Sequence, residues 1–286
     1  MSIHPDTSLG HVRLRVSNLE QSIQFYKEVI GFPIAEVEGK FAYLKVEGEE
    51  TLLELEEIPC ATRLPERSAA GLYHVAILLP DRPSLASILY HFADKRVQIG
   101  QADHLVSEAL YLADPDGNGL EIYRDRDRSE WEVEQNGDYK MASDPINIES
   151  LIQEAEEHSW KGLPQGTIIG HVHMHVANLE DTEAFYRDVI GFETVGDYSR
   201  MSAKFMAAGR YHHHLGFNIW AGSGVPKTPD SAVGMTYYTV KLVGAEEMHA
   251  LINRLERADH SYKHEEDVVW VTDPSGMRIK FIQQTA

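Results

Sequence analysis

Cysteine, long apolar runs and positive charge are all scarce in this chain. A single cysteine, Cys60, among 286 residues has no partner for an internal disulfide. Stability must therefore come from packing, and a reducing, cytoplasmic setting is expected. Cys60 follows a proline in an expected loop, with no histidine near it in sequence, and reads as incidental. No apolar run is long enough to span a bilayer, and the opening MSIHPDTSLG has no signal-peptide pattern. Lys and Arg number 26 against 45 Asp and Glu, a formal net charge of −19. Phosphate backbones would be repelled by that field. The short basic clusters RLPER and YRDRDRSE (the latter read as balanced by its own acids) do not offset it, so no nucleic-acid partner is expected.

What remains is ordinary for a water-soluble fold, with 43% hydrophobic and 25% charged residues. Fifteen histidines stand out. Histidine is the commonest metal ligand and titrates near neutrality, although most histidines do neither job.

Internal repetition sets the organisation. LGHVRLRVSNLEQSIQFYKEVIGF, from Leu9, recurs as IGHVHMHVANLEDTEAFYRDVIGF, from Ile169. The turn DPDG at Asp114 recurs as DPSG at Asp273. Each half also repeats within itself. Residues 11–16 alternate as a strand, and 19–30 carry apolar residues at helical spacing between a capping Asn18 and a terminating Gly31. Further short strands follow. The pattern restarts at LYHVAILL, with a helix over 84–95 and two strands around the DPDGN turn over 110–123. Four units result, at about 9–57, 71–124, 168–220 and 234–282. They divide into an N-terminal half (1–130), a linker (131–166) and a C-terminal half (167–286). The linker holds a helix expected over 147–157 and then Gly162, Pro164 and Gly166. The fold class is α+β. Each unit leaves one face of a small mixed sheet uncovered, two units together make a cup, and a small ligand would sit on the concave side.

The ionisable residues are distributed unevenly over this scaffold. The first strands of units one, two and three carry His11, His74 and His171, while unit four has tyrosines there. The last strand of unit two carries Glu121, and unit four has Lys280 at that place. Unit three has YHHHLGFNIW. Two histidines and one carboxylate make the facial triad of non-haem iron, which leaves positions open for substrate and oxygen. Unit two supplies one of each, and the third ligand must come from a partner unit as His171 or His11. Taken singly, each is as well explained by packing or exposure: Glu121 could be the solvent-facing residue of GLEIY. The joint pattern favours the metal.

The units resemble the βαβββ modules of the vicinal oxygen chelate superfamily, which includes glyoxalases, bleomycin-resistance proteins and dioxygenases. Residues 103–121, DHLVSEALYLADPDGNGLE, resemble the signature of type I extradiol ring-cleavage dioxygenases, such as catechol 2,3-dioxygenases. The signature runs through His104, a spacer, Leu110 and Tyr111, the DPDG turn and Glu121, with Ala102 a small departure two residues before the histidine. The resemblance implies four modules forming two cup-shaped mixed sheets. It implies metal ligands His74, Glu121 and His171 or His11, Tyr111 and His104 near the substrate hydroxyls, and an acid–base histidine supplied by His213 or His214. The implied cofactor is Fe(II), with Mn(II) sharing the ligand set. The implied substrates are a small aromatic diol and O2, and the product is a hydroxymuconic semialdehyde.

Many relatives carry the metal in the final module, but tyrosines and Lys280 occupy those places here, and a charged ammonium offers no lone pair. Some relatives pair module one with four and two with three, which would gather His74, Glu121 and His171. Module three also brings the HHH run, so His171 is favoured over His11. A hydroquinone-cleaving dioxygenase would use the same ligands. A glyoxalase-like isomerase or thiol transferase is disfavoured, because Asn218 and Trp220 stand where a second carboxylate would be needed. A metal-free binding protein of the bleomycin-resistance type would explain the fold but not the signature. Self-association is left open by the sequence.

Overall fold

A computed structural model describes residues 2–155 and 160–284. Module one comprises β1 (Ser8–Val16), α1 (Leu19–Phe25), β2 (Ile34–Glu38), β3 (Phe41–Lys45) and β4 (Thr51–Glu57). Module two comprises β5 (Gly71–Leu78), α2 (Arg82–Asp94), β6 (Gly100–Asp103), β7 (Ser107–Ala113) and β8 (Gly119–Asp125). After a linker containing α3 (Ile148–Ile152), module three runs through β9 (Ile168–His175), α4 (Leu179–Ala184), β10 (Glu193–Tyr198), β11 (Ala203–Ala207) and β12 (Leu215–Asn218). Module four is β13 (Gly234–Leu242), α5 (Gly244–Arg257), β14 (Tyr262–Glu265), β15 (Val268–Thr272) and β16 (Arg278–Gln283). No helix among the described residues is long and apolar enough to cross a membrane.

The helix ends follow from local chemistry. The Asn18 side chain accepts from the Gln21 N–H at 2.8 Å, and Asn178 serves α4 in the same way. Both helices run on into a π turn, Tyr26–Ile30 and Phe185–Ile190. These turns stop at Gly31 and Gly191, whose φ values of 95° and 104° suit a residue without a Cβ. The helix expected over 84–95 is α2, which starts two residues earlier because Asp81 caps it through the Ser84 N–H. The linker helix expected over 147–157 is much shorter. Asn147 caps it as expected, but α3 ends at Ile152, and residues 156 and 157 lie outside the described residues.

The strands form two eight-stranded mixed sheets, ordered β14-β15-β16-β13-β1-β4-β3-β2 and β10-β11-β12-β9-β5-β8-β7-β6. Module one therefore shares a sheet with module four, and module two with module three. Each sheet draws on both halves of the chain, joined by antiparallel pairs at its centre, β1 with β13 and β5 with β9.

Strand alternation separates core from cup. On β5, β8 and β9 one set of side chains (Val75, Ile77, Leu120, Ile122, Val172 and Met174) joins the hydrophobic core. Leu85, Ile88 and Phe92 of α2 belong to the same core. Each is nearly or fully buried, and a fully buried side chain of this kind contributes about 1.5–3 kcal/mol. The alternate set on the same strands faces the concave side. The retained turns are scaffold. Asp114 accepts from the N–H groups of Asp116 and Asn118 and from the Tyr26 hydroxyl. Asp273 does the same for Ser275, Met277 and Tyr186. Each turn thus clamps a helix of the neighbouring sheet.

Candidate metal centre and active site

The register of one sheet brings three distant residues together. Ala76 on β5 lies opposite His171 on β9 and opposite Glu121 on β8. Directly paired residues point to the same face, so the His171 and Glu121 side chains flank Ala76, whose methyl group leaves the space between them open. His74, two residues back on β5, shares that face.

The three side chains are buried, at 6%, 2% and 2% exposure for His74, Glu121 and His171. Their donor atoms form a small triangle. His74 Nε2 is 3.0 Å from Glu121 Oε2, His171 Nε2 is 3.1 Å from the same oxygen, and the two Nε2 atoms are 3.3 Å apart. Bonds of about 2.1 Å to a common octahedral centre would separate adjacent donors by about 3.0 Å. Burial pushes the Glu121 carboxyl up, but the adjacent His171 and His74 rings carry it well below the ordinary range. Burial lowers His171 to about 4, only partly offset by Glu121. At neutral pH the set is therefore an ionised carboxylate beside a neutral imidazole at His171, the forms in which these groups bind metals. His171 Nδ1 is buried without a hydrogen-bond partner. A neutral ring that directs its Nε2 lone pair to the centre of the triangle carries its proton on that Nδ1. These residues fit a divalent metal.

The triangle lies in the wall of a cavity of about 440 Å³. His104 and Tyr111 also line it. His104 Nδ1 donates to the Ala142 carbonyl at 2.6 Å, which leaves Nε2 to accept from the Tyr111 hydroxyl at 2.6 Å. Burial, with Glu121 alongside, holds the Tyr111 hydroxyl well above its usual 10.

Of the two acid–base candidates, only His213 reaches the cavity. His214 does not line it, which corrects the expectation for that residue. Its Nδ1 accepts from the Ala208 N–H at 3.2 Å, and its ring packs on Tyr211 and toward Phe192. The HHH run precedes β12, so strand alternation does not decide which ring points inward.

Sequence reasoning missed other parts of the cavity wall. Met141 and Ser143 come from the irregular linker, where no periodic signal exists, and Tyr73, Phe205 and Trp220 could not be told from core aromatics. His173, two residues from His171 on β9 and so on the same face, also lines it. Gly216 makes room for that ring, since a Cβ there would lie 2.8 Å from His173 Cγ.

The matching place in the other sheet is closed on itself. His11 Nε2 meets the Tyr237 hydroxyl at 3.0 Å, and that hydroxyl donates to Glu54 at 2.9 Å. Tyr237 holds the position of His74, and Lys280, opposite Thr239, that of Glu121. His11 thus belongs to a different sheet from His74 and Glu121, and among the described residues it joins no group of three metal donors.

Both repeats, residues 8–122 and 168–281, match the model of the Glyoxalase/Bleomycin resistance protein/Dioxygenase superfamily. The chain belongs to this superfamily. Among superfamily relatives, it is 49% identical over 282 residues to a catechol-2,3-dioxygenase of Bacillus subtilis, covering 98% of this chain and 99% of the relative. It is 30% identical over 120 residues to biphenyl-2,3-diol 1,2-dioxygenase 3 of Rhodococcus globerulus, covering 41% of this chain and 63% of that one. The fold resembles that of maize glyoxalase I, with a TM-score of 0.55 at 14% identity, covering 97% of this chain and 92% of that one.

Proposed function

We propose that this superfamily member is an extradiol dioxygenase that opens a catechol ring with O2 to give a hydroxymuconic semialdehyde. The observation that carries the reading is the convergence of His74, His171 and Glu121 on one point in a cavity wall that also holds His104, Tyr111 and His213. The near full-length similarity to a catechol-2,3-dioxygenase supports it. His74, His171 and Glu121 would hold Fe(II), with Mn(II) compatible with the same donors. Bound there, the metal would offer open positions to the diol oxygens and to dioxygen and a path for electrons between them.

The protein's own groups account for the rest. Tyr73, Phe205 and Trp220 present apolar ring faces that hold an aromatic substrate and exclude water. The His104 and Tyr111 pair provides hydrogen bonding for a diol oxygen or bound oxygen. Burial holds His213 well below its usual value. The ring is therefore neutral and keeps a lone pair, and its place in the cavity wall would let it take a hydroxyl proton from the diol and return it as the ring opens.

The test is to load the protein with Fe(II) without oxygen, then add catechol under air and record the visible spectrum. Growth of a yellow ring-cleavage product in proportion to bound iron supports the proposal. Iron-loaded protein that consumes neither catechol nor oxygen refutes it, and consumption of a para-diol instead would move the reaction to the hydroquinone class.

A further inference from the structure

The wall behind His213 contains a hydrogen-bonded chain that the reaction above does not use. Along β8 the cup-facing positions are Glu121, Tyr123 and Asp125, each two residues from the last. Asp125 Oδ1 lies 2.8 Å from His212 Nε2, and His212 Nδ1 lies 2.8 Å from His213 Nδ1. The other oxygen, Asp125 Oδ2, accepts from the Tyr211 hydroxyl at 2.9 Å. Tyr211 in turn accepts from the Tyr123 hydroxyl at 2.8 Å. Two lines of donors thus end on one carboxylate. The His212 side chain is fully buried, while Asp125 keeps 22% of its side chain exposed.

This chain fixes where the protons sit. A carboxylate only accepts, so His212 must donate from Nε2. A neutral His212 then presents a bare Nδ1, and His213 must donate to it from its own Nδ1. His213 is left with an unprotonated Nε2. Among the described residues, no group hydrogen-bonds that atom, and the ring lines the cavity. The wrong tautomer would aim an N–H at the substrate and could take up no proton.

We infer that Asp125 and His212 are positioning residues, which set the tautomer of His213 so that a bare Nε2 faces the substrate. The inference rests on the extradiol reading for its catalytic consequence but not for its structural content. Asp125→Asn is the decisive change, because an amide can turn its NH2 toward His212 Nε2 and reverse both tautomers with little change in shape. A reversed base in a comparable carboxylate–imidazole pair costs about 10⁴-fold in kcat, and general-base catalysis as a whole is worth about 10²–10⁴-fold. The expected kcat loss is therefore about 10²–10⁴-fold.

The experiment has two arms. In the first, Asp125→Asn should lose kcat in that range while KM for catechol, iron content and Tm stay near those of the parent, and Asp125→Glu should recover part of the loss. In the second, nitrogen-15 NMR of the histidine rings in metal-free protein should find His213 protonated on Nδ1 in the parent and on Nε2 in Asp125→Asn. His212→Gln assigns the signals. Unchanged tautomers with parental kcat overturn the inference. Loss of kcat together with iron and Tm, without recovery in Asp125→Glu, also overturns it, since Asp125 would then be structural. If the parent cleaves no catechol yet shows these tautomers, the extradiol reading falls and the tautomer assignment stands.

Discussion

Replacing His171 by alanine, beside the same change at His11, distinguishes the two sheets as metal sites. The two histidines hold equivalent places in repeated strands, so any general effect of losing a first-strand imidazole should appear in both variants. Their surroundings differ. His171 Nε2 completes a donor triangle with edges of 3.0, 3.1 and 3.3 Å. His11 Nε2 is engaged by the Tyr237 hydroxyl at 3.0 Å, with Lys280 occupying the carboxylate position. Removing a residue that merely supports a metal ligand costs 10–100-fold in affinity. Losing one of three protein ligands should exceed about 10²-fold, or about 2.7 kcal/mol. His11→Ala should lose one hydrogen bond, about 1 kcal/mol of stability, and keep its iron. The assay is anaerobic loading with Fe(II), desalting against a weak chelator, and colorimetric iron per chain, with Tm of the metal-free variants as a folding control. A folded His171→Ala protein that kept one iron per chain, or a His11→Ala protein that lost it, would falsify the assignment of the metal to modules two and three.

Two further predictions concern the scaffold. Glu108 is buried between Arg82 and Arg124, with contacts of 2.7 and 2.8 Å, so Glu108→Gln should cost about 3–5 kcal/mol in urea unfolding by leaving the mostly buried Arg124 guanidinium without its anion, while Arg82 keeps Glu154; a loss below about 1 kcal/mol would show that the pair adds little. Acid should destabilise the fold before most carboxylates titrate. Burial lowers His214 to about 3, and burial with Lys280 nearby lowers His11 to about 4, each from 6.5. The unfolded chain therefore binds protons between pH 6.5 and 4 that the fold refuses, so this stability is complete above 6.5 and declines as pH falls. For His11 the gap corresponds to about 3 kcal/mol. Tm should drop across that window, and a flat Tm in metal-free protein would contradict the assignment.

The sequence carried much of this architecture because a duplicated chain displays its punctuation twice. Asn18 with Gly31, and Asn178 with Gly191, bracket the same helix and cap it by the same contacts. The repeated DPxG turn met Lys280 in one copy and Glu121 in the other, which separated scaffold from chemistry. Two kinds of information were missing. Strand parity does not extend to residues outside strands, so nothing in HHH distinguished His213 from His214. Ion pairing also ignores sequence proximity. The segment YRDRDRSE was read as self-balanced, and Arg126 does reach Glu130 within it, yet Arg124 pairs with Glu108, Arg126 also with Asp103, and Asp125 with His212. Its formal neutrality concealed the one acid that reaches inward.

The crossed pairing of modules has a consequence for the order of events on the ribosome. The cup that holds the candidate metal site joins residues separated by modest lengths of chain, as with His74 and His171, 97 residues apart. The other sheet joins His11 to Tyr237 across 226 residues. At about 5–20 residues per second, module one emerges roughly 10–45 seconds before its partner strand is made. Until then β1 presents an unpaired edge, a site where chains can add to one another. Modules two and three can meanwhile close their own sheet, and with it the proposed metal site, while the last strands are still being made. The sheet of modules one and four is thus the last to complete, and nascent chains are most exposed to aggregation at the end of the molecule farthest in time from its partner.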